Sequence, residues 1–102
     1  MIEEHIIKAR RVKTPSFLVI YTAISSLKEP HVSVTAAKKV APRAVVRNKL
    51  RRRGYAATGP LLAGLSPTSA ILISCLNKDT KTKISEMTEE LRGAFQKTGL
   101  YK

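Results

Sequence analysis

The sequence holds few of the residues that usually carry chemistry. Cysteine occurs once, at Cys75, so no internal disulfide can form and no oxidising compartment is implied. In the apolar run from Ala70 to Leu76 its thiol reads as a small buried hydrophobe. The two histidines, His5 and His31, lie far from each other and from Cys75, and both read as surface residues. No HExxH, CxxC or comparable ligand spacing occurs, so neither a metal site nor a catalytic residue is expected in the chain itself. The glycines at 54, 59, 64, 93 and 99 form no phosphate-cradling loop. Tryptophan is absent and aromatics make up 5%, which argues against stacking on several bases as the main binding mode. No apolar run approaches the ~20 residues of a membrane helix. The start, Met1-Ile2-Glu3-Glu4-His5, lacks the basic and apolar regions of a signal peptide. A soluble, cytoplasmic and monomeric protein is expected.

Acidic residues are scarce too. Seven Asp and Glu face 19 Lys and Arg, a net charge of +12. No carboxylate pair sits in an apolar setting, so acid–base catalysis would have to come from a partner. Not one acid lies between Glu29 and Asp79.

What fills that gap is the stretch Lys38 to Arg53. Eight of its sixteen residues are basic: Lys38, Lys39, Arg43, Arg47, Lys49, Arg51, Arg52 and Arg53. Elsewhere the remaining eleven cations against seven acids leave a net charge of only +4. Charge concentrated in this way is the footprint of a polyanion-binding surface. At about 100° per residue, Arg47 and Arg51 share a helix face with Asn48 and Arg52 beside them, and Val46 and Leu50 form a narrow apolar stripe. A solvated helix face normally mixes signs; this one does not.

The 102 residues and 43% hydrophobic content fit one folded domain, 1–102. Residues 1–15 are weakly patterned. Ile6, Ile7 and the following Lys8 to Arg11 suggest a helical turn or two, a basic arm (Lys8, Arg10, Arg11, Lys13) or a frayed terminus. Ser16–Ile24 reads as a strand, with Phe17, Val19 and Tyr21 on one face and Leu18 and Ile20 on the other. His31–Ala36 reads as a second strand, whose Val32, Val34 and Ala36 alternate with polar His31, Ser33 and Thr35. Paired antiparallel with the first, it would set that polar face beside the basic helix as a groove floor.

Lys38 and Lys39 end that strand, and Ala41-Pro42-Arg43 turns the chain. The basic helix runs from Ala44 toward Thr58, weakened at Gly54 by about 1 kcal/mol relative to Ala and stopped by Gly59-Pro60. Leu61–Pro67 reads as a connection. Ser69–Leu76 is an apolar, central strand. A last helix from Thr82 to Lys97 places Ile84, Met87, Leu91, Ala94 and Phe95 in one core stripe, with Gly99 as its C-cap. The order strand, strand, basic helix, strand, helix implies an α+β sandwich, mostly antiparallel, with helices packed on the sheet.

The partner this composition fits is nucleic acid. Arg and Lys on one face suit phosphate contacts, which fix position without reading sequence. Asn48 can bond a base edge or a 2′-hydroxyl, or it is a polar spacer, or it bonds the backbone.

The run Val32-Ser33-Val34-Thr35-Ala36-Ala37-Lys38-Lys39-Val40, followed by Ala44-Val45-Val46-Arg47-Asn48-Lys49-Leu50-Arg51-Arg52, resembles the bacterial ribonuclease P protein component. That family has a strand ending in Ser-Lys-Lys-Val, a short Gly-containing turn, then Ala-Val-x-Arg-Asn-Arg-Ile-Lys-Arg on a helix. The likeness extends to Arg10-Arg11-Val12-Lys13 with Phe17 to Tyr21, to Ala70–Cys75, and to the ending from Phe95 to Lys102. It implies a ribosomal-S5-domain-2-like α+β fold with a left-handed βαβ crossover. It also implies a role as protein subunit of ribonuclease P, assisting a catalytic RNA that removes the 5′ leader from precursor tRNA with Mg²⁺ bound through that RNA.

By position, the resemblance makes Arg47, Asn48, Lys49, Arg51 and Arg52 the RNA-binding block, and Tyr21 and Thr35 the leader cleft; the charge cluster adds Lys38, Lys39, Arg43 and Arg53 to the expected RNA-binding residues. Departures exist. Lys49 stands where Arg is usual, which loses the planar fork. The turn at 41–43 is longer and lacks glycine. Arg53-Gly54-Tyr55 replaces Leu-Ile-Arg, and the family's N-terminal helix with its cleft-lining Phe residues is nearly absent. The alternative function is a structural RNA-binding protein of ribosomal type with no part in cleavage.

Overall fold

The computed structural model describes residues 9–101. The local patterns make a sheet only once strands pair, and the most apolar segment takes the middle. β1 (Arg10–Lys13), β2 (Phe17–Ala23), β3 (His31–Thr35) and β4 (Ser69–Cys75) lie in the order β1-β2-β4-β3. β4 runs antiparallel to β2 and parallel to β3. Its residues 69, 71, 73 and 75 are buried and those between them half-buried, as a strand covered on one face and partly covered on the other requires.

Two helices, α1 (Ala44–Thr58) and α2 (Ile84–Thr98), cover one sheet face, with a 3-10 helix at Gly59–Gly64 between α1 and β4. Phe17, Val19, Val34, Ile71, Ile73 and Cys75 supply the sheet side of a single core; Leu50, Ala57, Leu61, Met87, Leu91, Ala94 and Phe95 supply the helix side. Gly99 closes α2 with φ 77°, a conformation glycine adopts without strain. Thr88 donates its hydroxyl to the Ala57 carbonyl (2.8 Å), locking the helices together. Glu90 accepts from the Thr14 hydroxyl (2.5 Å) and the Ser16 N–H (2.8 Å), tying α2 to the β1–β2 turn.

Several expectations from sequence change here. Arg10–Lys13 is an edge strand and not a helical turn, because Val12 pairs opposite Val19 and backs onto the core; the cations around it suit an exposed edge. His5, Ile6, Ile7 and Lys8 lie outside the described residues. β3 pairs with β4 and not with β2, since the α1 crossover brings it parallel to the central strand. Its polar residues therefore face away from the basic helix, while Val34 meets it. β3 ends at Thr35, so Lys38 and Lys39 sit in the turn that follows, where Val40 N–H and Ala41 N–H both bond the Ala37 carbonyl (3.0 Å each).

Gly54 does more than weaken a helix. A Cβ there would lie 2.6 Å from Val34 Cγ1, so only glycine lets α1 approach β3 this closely. Beside it, the Tyr55 hydroxyl accepts from the Val34 N–H (3.1 Å) on the outer edge of β3. Ile84 leaves the expected core stripe: it opens α2 one turn before buried Met87 and is 38% exposed.

Candidate nucleic-acid interface

The candidate interface is built on α1 and the turn leading into it. Leu50, Gly54, Ala57 and Thr58 are the buried side of α1, with half-buried Val46 continuing the stripe. The rest of the helix surface is left to cations, Asn48, exposed Val45 and Tyr55, and alanines. The N-cap is Arg43, with no side-chain cap and no acid in the first turn. Unbonded N–H groups and the positive end of the helix dipole thus point toward the same region as the cations.

The nine block residues fall into two groups. Lys38, Lys39, Arg43, Lys49 and Arg52 are exposed. Among the described residues none of them has a side-chain hydrogen bond or an ion pair, the one ion pair being Arg92–Glu89 on α2 (3.0 Å). The other four are held by the fold. Arg47 donates to the Ala41 (3.0 Å) and Pro42 (2.8 Å) carbonyls, bracing the turn against the helix. Arg51 donates to the Asn48 side-chain carbonyl, which orients both. Arg53 donates to the Thr82 carbonyl and rests near Met87 Sδ (3.5 Å), bridging to the start of α2. Arg47 and Arg53 therefore shape the surface, while the exposed group supplies its unpaired charge.

Near Arg53, Asp79 accepts from the Thr82 hydroxyl and from the Lys81 and Thr82 N–H groups. These bonds, the hydroxyl first, hold its carboxyl below the ordinary value. Burial pushes the Cys75 thiol up, so it stays protonated and inert, as its place in the core suggests. Among the described residues no group of three His, Cys, Asp or Glu could hold a metal ion.

The sheet's other face forms a second region. Its register aligns Arg11, Ile20, Leu72 and Ser33 in one row and Lys13, Leu18, Ser74 and Thr35 in the next. A hollow of about 130 Å³ lies over it, with Ile20, Thr22, His31, Ser33, Ala70 and Leu72 among its lining. Thr35 belongs to this face. Tyr21 aligns with Ile71 and Val32 and packs against the core from the other face, yet it also borders the hollow, which Thr35 does not. The alternation that groups Tyr21 with Phe17 and Val19 already carries that separation. Sequence reasoning grouped Arg11 and Lys13 in a basic arm without placing them on the open face; their every-other-residue spacing is the signal that does so.

Fold and surface together define a small basic α+β domain with one strongly cationic helix. The chain belongs to the ribonuclease P protein family, whose sequence model (Ribonuclease P) matches residues 2–99. Membership makes it a protein subunit of ribonuclease P, an enzyme of tRNA processing. Solved structures share the architecture. The Staphylococcus aureus RNase P protein superposes with a TM-score of 0.79 at 14% identity, covering 99% of this chain and 91% of that one. The Thermotoga maritima RNase P protein gives 0.79 at 13% identity, over 94% and 89%. The same Thermotoga protein in complex with 1-(4-fluorophenyl)-2-thiourea gives 0.77 at 14% identity, over 93% and 91%. At these identities the superpositions carry the fold, and the family rests on the sequence model. No curated protein matches the chain.

Proposed function

We propose that this chain grips the catalytic RNA of ribonuclease P through α1 and the turn before it, and holds the single-stranded 5′ leader of precursor tRNA across the open sheet face. The observation that carries this reading is the exposed group Lys38, Lys39, Arg43, Lys49 and Arg52, none of which is ion-paired among the described residues. Each phosphate bound there releases counterions, so affinity falls steeply with salt. Braced Arg47, and Asn48 held by Arg51, give that face a defined shape, so docking fixes one orientation of the RNA.

On the open face, Arg11 and Lys13 stand at one edge and Ser33 and Thr35 at the other, with Ile20 and Leu72 between. That is a surface for an extended strand: cations for its phosphates, an apolar floor for its bases and hydroxyls for sugar or base edges. Tyr21 supports this floor from beneath. The chemistry belongs to the RNA, with Mg²⁺ held through it, and the protein works as a cytoplasmic monomer that raises local substrate affinity.

The test is 5′-leader cleavage of a precursor tRNA by the cognate catalytic RNA at low Mg²⁺, with and without the chain. Strong stimulation is expected. Tight RNA binding with no stimulation would overturn the cleavage role and leave a purely structural RNA-binding protein.

A further inference from the structure

The notch where α2 begins against α1 combines features that neither the core nor a phosphate contact needs. It is a shallow hollow of about 310 Å³ lined by Lys49, Arg52, Arg53, Ala56 and Ile84. Its floor is apolar: Ala56 is exposed, and Ile84 is 38% exposed although the helical pattern of α2 would have it in the core. Its rim is cationic, with Lys49 and Arg52 free and Arg53 fixed as a wall by its bond to Thr82. Lys83, the N-cap of α2, provides no side-chain cap.

Of the rim cations, Arg53 feels the Asp79 charge, while Lys49 and Arg52 have no ion pair among the described residues. Asp79 turns into its own loop to bond Thr82 and Lys81. Glu86 lies two residues past Ile84, about 200° around the helix, on the other side of α2.

An apolar floor alone would fit many partners, and a cationic rim alone would fit any phosphate. The two side by side fit a nucleotide, flat and apolar at the base and anionic a few ångströms away. We infer that this notch is a second contact for the catalytic RNA, seating one unstacked nucleotide with its base on Ile84 and Ala56 and its phosphate at Lys49 and Arg52. The inference rests on the ribonuclease P reading and adds to it a contact made by α2.

Binding of the cognate ribonuclease P RNA, titrated with salt, tests it. Ile84→Ser should weaken affinity about five- to tenfold, as loss of one apolar contact does, with the log–log salt slope unchanged because no charge is removed. Lys49→Ala should instead lower the slope by about 1. Ala56→Gln fills the notch without adding charge, sits on an exposed helix position where the fold tolerates it, and should match Ile84→Ser. A photoreactive group on Ser85→Cys should cross-link to one RNA site. Affinities of both notch variants within twofold of the unaltered chain, or cross-links scattered over the RNA, would overturn the notch and leave the subunit reading intact. Failure of the unaltered chain to bind that RNA would overturn both.

Discussion

The two helices are each 15 residues long and cover the same sheet face, yet they solve different problems. α2 buries Met87, Leu91, Ala94 and Phe95 in a regular stripe, carries Glu86 in its first turn and Lys97 in its last, and pairs Arg92 with Glu89. Its outer charges agree with the helix dipole. α1 buries one large side chain, Leu50, beside the small Gly54, Ala57 and Thr58, and its exposed side has five cations and no acid. Val45, on its outer face, is 78% exposed. Stability is thus concentrated in α2 and the sheet, and α1 is kept in place by close approach to β3. A surface full of like charges repels itself, so the element that bears it needs its anchoring from elsewhere in the fold.

This contrast can be broken or sharpened in order of effect. Phe95→Ala should lose about 3–5 kcal/mol of stability, since the ring is fully buried; urea unfolding that reports less than 1 kcal/mol would remove α2 from its role as anchor. Gly54→Ala should cost about 1–3 kcal/mol through the clash with Val34. Helix propensity alone predicts the opposite sign, a gain of about 1 kcal/mol, so a calorimetric melt separates the two accounts.

Replacing Arg43, Lys49 and Arg52 together by Ala should shift stability by no more than about 0.5 kcal/mol, while the salt slope of RNA binding falls by about 3. An unchanged slope would move the interface off α1. Adding Arg47→Ala to that set should begin to cost stability, because its guanidinium braces the turn at Ala41 and Pro42.

The smallest effect is one of pH. The Asp79 carboxyl is lowered in the folded chain from its ordinary value of 3.8, so its hydrogen bonds help the loop before α2 at neutral pH. That help fades as pH falls through the lowered value. Asp79→Asn should flatten this acid-side dependence; an identical acid melt for both chains would show the loop to be indifferent to it.

How much of this could be read from the residues depends on where each signal resides. β2, β4 and α2 were legible because alternation and helical spacing are properties of the local chain. The basic block was legible because charge needs no partner to be counted. β1 was hidden by its own composition: Val12 is its one apolar residue, and what makes it a strand is β2 beside it. Periodicity told which face of β3 is apolar but not which strand it pairs with, so its polar face was assigned to the wrong side of the sheet. The same limit hid the duties of Arg47 and Arg53, since a carbonyl reached across a turn or from another helix leaves no trace in spacing. Ile84 kept the period of its helix but lies beyond the end of the core.

The Tyr55 hydroxyl on the outer N–H of Val34 has one more consequence, and it concerns copies of the chain and not the single molecule. β3 is the sheet's last strand, and an unoccupied donor on such a strand invites the edge of a neighbouring molecule to continue the ladder. By filling that place with its own side chain, the protein denies a crowded solution the first rung of a fibre. Tyr55 therefore takes one donor out of an edge that another chain could otherwise extend.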